Sequence, residues 1–289
     1  SKQMKGMNEL LPRLPFAEWI DQGVDWLVTE FSGFFDGIAN GLEWIVESAV
    51  DVMALVPSIV LAFIFAGIAW LVSTRKIAFW TLIGFLFIDY LGLWYPMLQM
   101  LALVLTSVFF AILFGIPLGV LGSQSKVTRT ILNPTLDLMQ TMPAFVYLIP
   151  AIFFFNIGVV PGVVASVIFA MPPTIRLTML GIDQVPKDLI EATEAFGATT
   201  RQRLLRVQLP LAKPTIMAGI NQSIMLALSM VVIASMVGAP GLGEKVYRAV
   251  TQLKTGVGVE VGVAIVIVAI ILDRITQHAG RDKQGGVES

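Results

Sequence analysis

The sequence predicts an all-α polytopic membrane protein of about seven transmembrane helices, and three observations carry that prediction. Hydrophobic residues make up 56% of the 289 residues and charged residues only 13%, against the ~25% charged of an ordinary soluble domain. Most of the 25 glycines and 15 prolines lie inside or beside apolar runs, a placement that membrane helices tolerate. Seven apolar stretches, at 53–72, 77–95, 98–122, 136–156, 160–177, 215–237 and 258–275, approach the ~20 residues that a spanning helix needs. The chain contains no cysteine, which excludes a disulfide framework, a thiolate nucleophile and a cysteine metal site. No charged start leads directly into an apolar core, so no cleavable signal peptide is expected.

Residues 1–52 are expected to stay outside the membrane as an amphipathic scaffold segment. Ile20, Val24, Leu27, Phe31 and Phe34 or Phe35 recur at helical spacing, with Glu18, Asp21, Gln22, Asp25 and Glu30 elsewhere on the wheel. Trp19, Trp26 and Trp44 are rings of the kind that sit at headgroup level. Further on, Glu43, Glu47 and Asp51 form an acidic stripe opposite Leu42, Val46, Ala49 and Met53. The segment reads as a helix lying on the membrane or packed on the bundle; the alternative is that its acidic face meets an extracytoplasmic partner. Two accessory spans follow in 53–97. Asp89 and Asp137 fall near span ends, where a carboxylate reaches water or caps a helix. Pro143, Pro150, Pro172 and Pro173 mark the fourth and fifth spans as candidates for broken helices.

Two helix faces are candidates for a solute pathway. In the sixth span Asn221, Met225, Ser229, Val232 and Met236 form a mildly polar stripe; in the fourth, Gln140, Ala144, Tyr147, Ala151 and Phe154 repeat the spacing. Interhelical packing explains both stripes equally well, because Ser and Asn commonly bond between membrane helices. Beyond the sixth span, Gly238, Pro240, Gly241 and Gly243 predict a tight turn. A short amphipathic piece follows, with Val246, Val250 and Leu253 set against Lys245, Arg248 and Lys254.

The long polar segment within 178–214 stands apart. Pro186 suits a first helical turn, and Asp188, Glu191 and Glu194 complement a helix N-terminus. Gly197 breaks that helix; Thr199 and Gln202 have capping-box spacing and start a second one, which Pro210 is expected to close. Counting basic residues, an outside N-terminus puts Arg75, Lys76, Lys126, Arg129, Arg176, Lys187, Arg201, Arg203, Arg206, Lys213, Arg274, Arg281 and Lys283 inside. Only Lys2, Lys5, Arg13, Lys245, Arg248 and Lys254 remain outside. The 178–214 loop and the tail 276–289 are then cytoplasmic.

No catalytic constellation accompanies this layout. Gly238–Lys245 has glycines but neither the spacing nor the Lys-Ser/Thr ending of a phosphate-binding loop. His278, the only histidine, is expected in the tail beyond the last span. Energy from ATP would have to come from another polypeptide, and no nucleic-acid partner is expected.

The polar segment resembles the cytoplasmic coupling loop of type I ABC importer permeases, whose pattern is E-A-A-x3-G-x9-I-x-L-P. Glu191, Ala192, Gly197, Leu209 and Pro210 match it in identity and spacing; Thr193 replaces the second Ala and Val207 the Ile. The continuation Ala212–Met236 and Gly238–Gly243 is similar to permeases for glycine betaine, proline betaine and choline-type solutes, and the likeness runs over about Leu98–Asp273. The resemblance implies a type I (MetI-like) permease core over 98–275 in a bacterial inner membrane. It implies ATPase coupling through Glu191, Ala192, Thr193, Phe196, Gly197, Leu209 and Pro210, and alternating access in a homodimer. The implied partners are an ATP-binding cassette subunit, which uses ATP and Mg, and an extracytoplasmic solute-binding protein; no cofactor is expected on this chain. The rival readings are a secondary carrier or channel without an ATPase, and a membrane anchor that moves nothing.

Overall fold

The computed structural model describes residues 6–280, so Lys2, Lys5, Arg281, Lys283 and the tail from 281 onward lie outside the described residues. Among the described residues every regular element is helical. The order is α1 (Met7–Leu10), α2 (Phe16–Glu30), α3 (Ser32–Leu55), α4 (Ser58–Val72), α5 (Arg75–Tyr90), α6 (Trp94–Gln124) and α7 (Lys126–Thr141). A 3-10 turn (Ala144–Tyr147) leads into α8 (Leu148–Phe155), followed by α9 (Val159–Asp183), α10 (Lys187–Ala195) and α11 (Thr200–Arg203). A π-helical turn (Leu204–Gln208) joins α11 to α12 (Leu209–Ser235), and α13 (Leu242–Thr251) and α14 (Thr255–Gly280) complete the chain.

The core is a trio of long helices, α6, α9 and α12, with α9 in the middle. Small residues set its spacing. A Cβ on Gly119 of α6 would meet Thr178 Cβ at 2.6 Å and the Ile175 carbonyl at 2.8 Å. On the other flank of α9, a Cβ on Gly219 of α12 would meet the Pro173 carbonyl at 2.9 Å. Such close approach suits membrane helices, which gain little from hydrophobic transfer and associate through packing. Polar side chains reinforce it: buried Ser223 donates to the Ala170 carbonyl (2.6 Å) and lies 2.7 Å from the Thr174 hydroxyl.

Four helical stretches, 94–124, 159–183, 200–235 and 255–280, are long and apolar enough to cross a membrane, and two bent pairs raise the number to as many as six. The pairs are α3 with α4, bent by 109°, and α7 with the helix from Ala144 to Phe155, bent by 111°. The expected break in the fourth span therefore occurs, and it falls at Met142–Pro143, where proline disfavours helical backbone in the residue before it. Pro172 and Pro173 do not break α9, which runs through both. The stretches at 53–72 and 77–95 form α4 and α5, of 15 and 16 residues. Helices of that length rise only ~22–24 Å, short of a ~30 Å hydrocarbon core.

The N-terminal segment packs on the bundle. Along α3, Val46 and Val50 are buried in the main core, with Leu42, Ala49 and Met53 against it. Phe35 stacks on Phe154 of α8 with ring centroids 4.8 Å apart. Glu43, Glu47 and Asp51 face away and line a cavity of about 350 Å³ with Tyr95, Gln99 and Pro240. At the junction of α3 and α4, Ser58 Oγ donates to Asp89 of α5 at 2.8 Å, which fastens the accessory pair at one end.

Candidate functional site: the α10–α11 segment and the faces above it

Pro186 caps α10, and Asp188 lies in its first turn, where an acidic side chain meets the positive end of the helix dipole. The helix stops at Ala195, and Gly197 adopts φ +75° with nothing crowding its missing side chain. Left-handed backbone costs an L-residue roughly 1–2 kcal/mol and glycine essentially nothing. Two residues later the capping box is complete: Gln202 N–H donates to Thr199 Oγ1 (3.2 Å) and the Thr199 N–H to Gln202 Oε1 (3.0 Å). Arg203 bridges the bend with a 2.5 Å ion pair to Glu194.

Phe196, at the apex, is 93% exposed. Beside it Thr193, Phe196, Gly197, Gln202, Arg203 and Arg206 line a depression of about 210 Å³, and Arg203 Nε is buried there without a partner. A large exposed ring next to an unsatisfied donor is the chemistry of a surface that awaits a partner. Glu191 is exposed, Ala192 is exposed, and Thr193 is half-buried with its hydroxyl on the Ile190 carbonyl at 2.7 Å.

The expected helix end at Pro210 does not occur. The chain stays helical from Thr200 to Ser235, and Pro210 sits in the first turn of α12. Two features explain this. Pro210 stands in the first turn of α12, where a missing N–H costs little, and the π-helical turn at Leu204–Gln208 absorbs the irregularity just before it. Leu209 packs on the cluster of Ile182, Ala212 and Ile216, so the Leu209-Pro210 pair belongs to the joint between α11 and the trio. His278, expected beyond the last span, lies in the last turns of α14, with Nδ1 2.9 Å from the Arg274 carbonyl.

The two polar faces are only partly kept together. Ser229 and Met236 are exposed on α12, whereas Met225 packs against the main core and Asn221 donates to Asp273 Oδ1 of α14 at 3.0 Å. A four-residue step drifts by about 40° on a helix of 3.6 residues per turn, which carries Asn221 roughly 80° round from Ser229. On the other face, Gln140 accepts from Arg176 Nε at 2.7 Å, and Arg176 also pairs with Asp137. Tyr147 is buried against Phe169, its hydroxyl donating to the Met139 carbonyl. Tyr147 is packed between helices, while Gln140 is exposed.

The α10–α11 bend and the basic residues share one end of the bundle. Arg129 pairs with Asp183 just before α10; Lys76, Arg274 and His278 line one cavity between α5 and α14. A Cβ on Gly280 would meet Met217 near the start of α12. At the opposite end, the Gly158 N–H bonds the Val237 carbonyl at 2.8 Å, and Gly241 (φ +132°) lies against the Pro96 carbonyl. The tight turn expected at Gly238–Gly243 is thus present, with the amphipathic α13 after it.

Residues 111–282 match the family described as binding-protein-dependent transport system inner membrane component. The chain is 72% identical over 268 residues to the glycine betaine transport system permease protein OpuAB of Bacillus subtilis, covering 93% of this chain and 95% of that one. It is 55% identical to the glycine betaine/carnitine transport permease protein GbuB of Listeria monocytogenes, over 92% and 96% of the two chains. It is 49% identical to the glycine betaine/proline betaine transport system permease protein ProW of Escherichia coli, over 94% and 77%. Among solved structures, an inward-facing MetNI methionine ABC transporter chain matches with TM-score 0.58 and 27% identity, over 63% of this chain and 94% of that one.

Proposed function

Because the chain belongs to the family of binding-protein-dependent transport system inner membrane components, we propose that it carries glycine betaine or a close quaternary-ammonium relative across the inner membrane, driven by a separate ATPase. The solute class rests on the permeases to which the chain is most alike among those described above. The observation that carries the mechanism is the α10–α11 bend: a glycine-hinged pair of short helices with Phe196 at its apex, joined without a break to α12.

In this reading the bend seats in the ATPase. ATP and Mg act in that partner, and no cofactor is assigned to this chain. Closure of two ATPase subunits displaces two bends, so two permease chains are required and a homodimer follows. The bundles then rock between inward and outward openings. Glu191, Ala192, Thr193, Phe196 and Gly197 form the seat; Leu209 and Pro210 pass the motion into α12. Ser229 and Met236, with Gln140, border the route, while Asn221, Met225 and Tyr147 hold the helices that form it. The basic end of the bundle faces the cytoplasm, with the N-terminus outside, where a solute-binding protein delivers the solute.

The test is ATP hydrolysis by the permease reconstituted with its ATPase, with and without a glycine-betaine-loaded binding protein. Stimulation by the loaded protein alone is expected. Assembly without a solute response would overturn the solute class, and failure to bind an ATPase would favour a secondary carrier.

A further inference from the structure

The α10–α11 segment is tied at both of its ends to one short stretch of chain, the turn between α6 and α7. At the entry, Arg129 near the start of α7 donates through Nη2 to Asp183 Oδ1 at 2.8 Å, and Asp183 is the last residue of α9. The same guanidinium donates through Nε to the Gly122 carbonyl at 3.0 Å, in the last turn of α6. At the exit, Gln124 Nε2, the last residue of α6, donates to Gln208 Oε1 at 3.3 Å. Gln208 closes the π-helical turn and is 5% exposed. Four helix ends therefore meet at residues 122–129: those of α6 and α7, which the turn joins, and those of α9 and α12, which flank the bend.

The backbone under these bonds lies in close side-chain packing. A Cβ on Gly122 would meet Met179 Sδ at 2.5 Å and Leu132 Cδ1 at 3.0 Å, so the end of α6 is wedged between α9 and α7. A second tie holds α7 further along, where Arg176 of α9 engages both Asp137 and Gln140. The guanidinium fork suits this task, because its rigid, multiply donating plane fixes direction as well as charge.

We infer that the α6–α7 turn is the anchor against which the α10–α11 segment works, and that Arg129 is a positioning residue that carries its displacement into α7. Without the Arg129 link, movement of the bend reaches α6 through its close packing on α9 but reaches α7 only through Arg176, and the α7–α8 wall lags behind. The inference rests on the coupling role proposed for α10–α11, yet it fails separately from it.

The experiment uses the full permease with its ATPase in liposomes, and reads solute transported per ATP hydrolysed alongside co-purification of the ATPase. Wild-type co-purification is the control for the coupling role itself; its absence would sink that role. With the control met, Arg129→Gln is expected to retain the ATPase and its hydrolysis while transport per ATP falls several-fold. The exchange R129D combined with D183R is expected to recover most of the ratio. Should Arg129→Gln not insert, Asp183→Ala gives the same reading, since it removes the acceptor of the bridge and leaves Arg129 on the Gly122 carbonyl. An unchanged ratio in either single variant overturns the inference, as does loss of transport and hydrolysis in equal proportion, which marks a merely structural part.

Discussion

Gly197 joins the residue scale most directly to function. Its φ of +75° is one that a β-branched side chain resists, although the space beside it is open. Gly197→Val therefore strains the backbone by roughly 1–2 kcal/mol without creating a clash. The expected outcome is normal membrane insertion with loss of solute-stimulated ATP hydrolysis, measured in liposomes. Phe196→Asp should weaken co-purification of the ATPase while leaving the thermal midpoint unchanged, because a side chain 93% exposed contributes almost nothing to the isolated fold. Gly197 was legible in the sequence, since a glycine between two capped polar helices has few other reasons to be there. Tyr147 was not. Its ring lies beyond the turn at Met142–Pro143 and is buried on Phe169, and spacing along a helix carries no information about packing across a break.

Among the elements, α11 depends on its cap. It has a single turn, so the reciprocal Thr199–Gln202 bonds are a large part of what fixes its start. Thr199→Ala should cost about 1 kcal/mol of local stability and appear as faster amide exchange at 200–203, with α12 unaffected. The capping box was readable because it needs only two residue types at fixed spacing. The passage of helix through Pro210 was not, because the π-helical turn that precedes it, with Gln208 buried and bonded to Gln124, has no residue pattern of its own in the sequence. The paired prolines of α9 teach the same lesson: neighbours at van der Waals distance on both flanks keep that helix continuous where sequence alone predicts a break. Gly119→Leu should accordingly separate α6 from α9 and abolish stable folding, seen as loss of a monodisperse detergent peak.

For the whole molecule, the all-helical class and the MetI-like core followed from composition and one motif, and the four to six candidate spans among the described residues agree roughly with the seven expected. Hydropathy cannot distinguish a helix that crosses from one that lies aslant, and the bends of 109° and 111° fall where two candidate spans met the window test. Orientation can be checked cleanly because the native chain has no cysteine. A single cysteine at Lys126 should be labelled by an impermeant maleimide only from the cytoplasmic side, and one at Lys254 only from outside; the reverse pattern would invert the topology. The acidic edge of α3 adds a pH signature. Glu43 beside it, then partial desolvation, raise the Glu47 carboxyl above the usual range, with Asp51 adding to the effect. A carboxylate whose folded pKa is raised gives stability that is present below its unfolded pKa and lost as pH rises through the folded value. Glu47→Gln should therefore raise the thermal midpoint at pH 7 and leave it unchanged near pH 4.

The glycine-lined contacts on both flanks of α9 also decide where the protein can bend. Where backbones touch with no side chains between them, there is nothing to compress, and a tilt applied at one helix arrives undamped at the next. Compliance has to be located elsewhere, in the two elbows at Val56–Pro57 and Met142–Pro143. The α6–α9–α12 trio is thus the stiff part of the molecule, and its sharp bends lie outside it, at those two elbows.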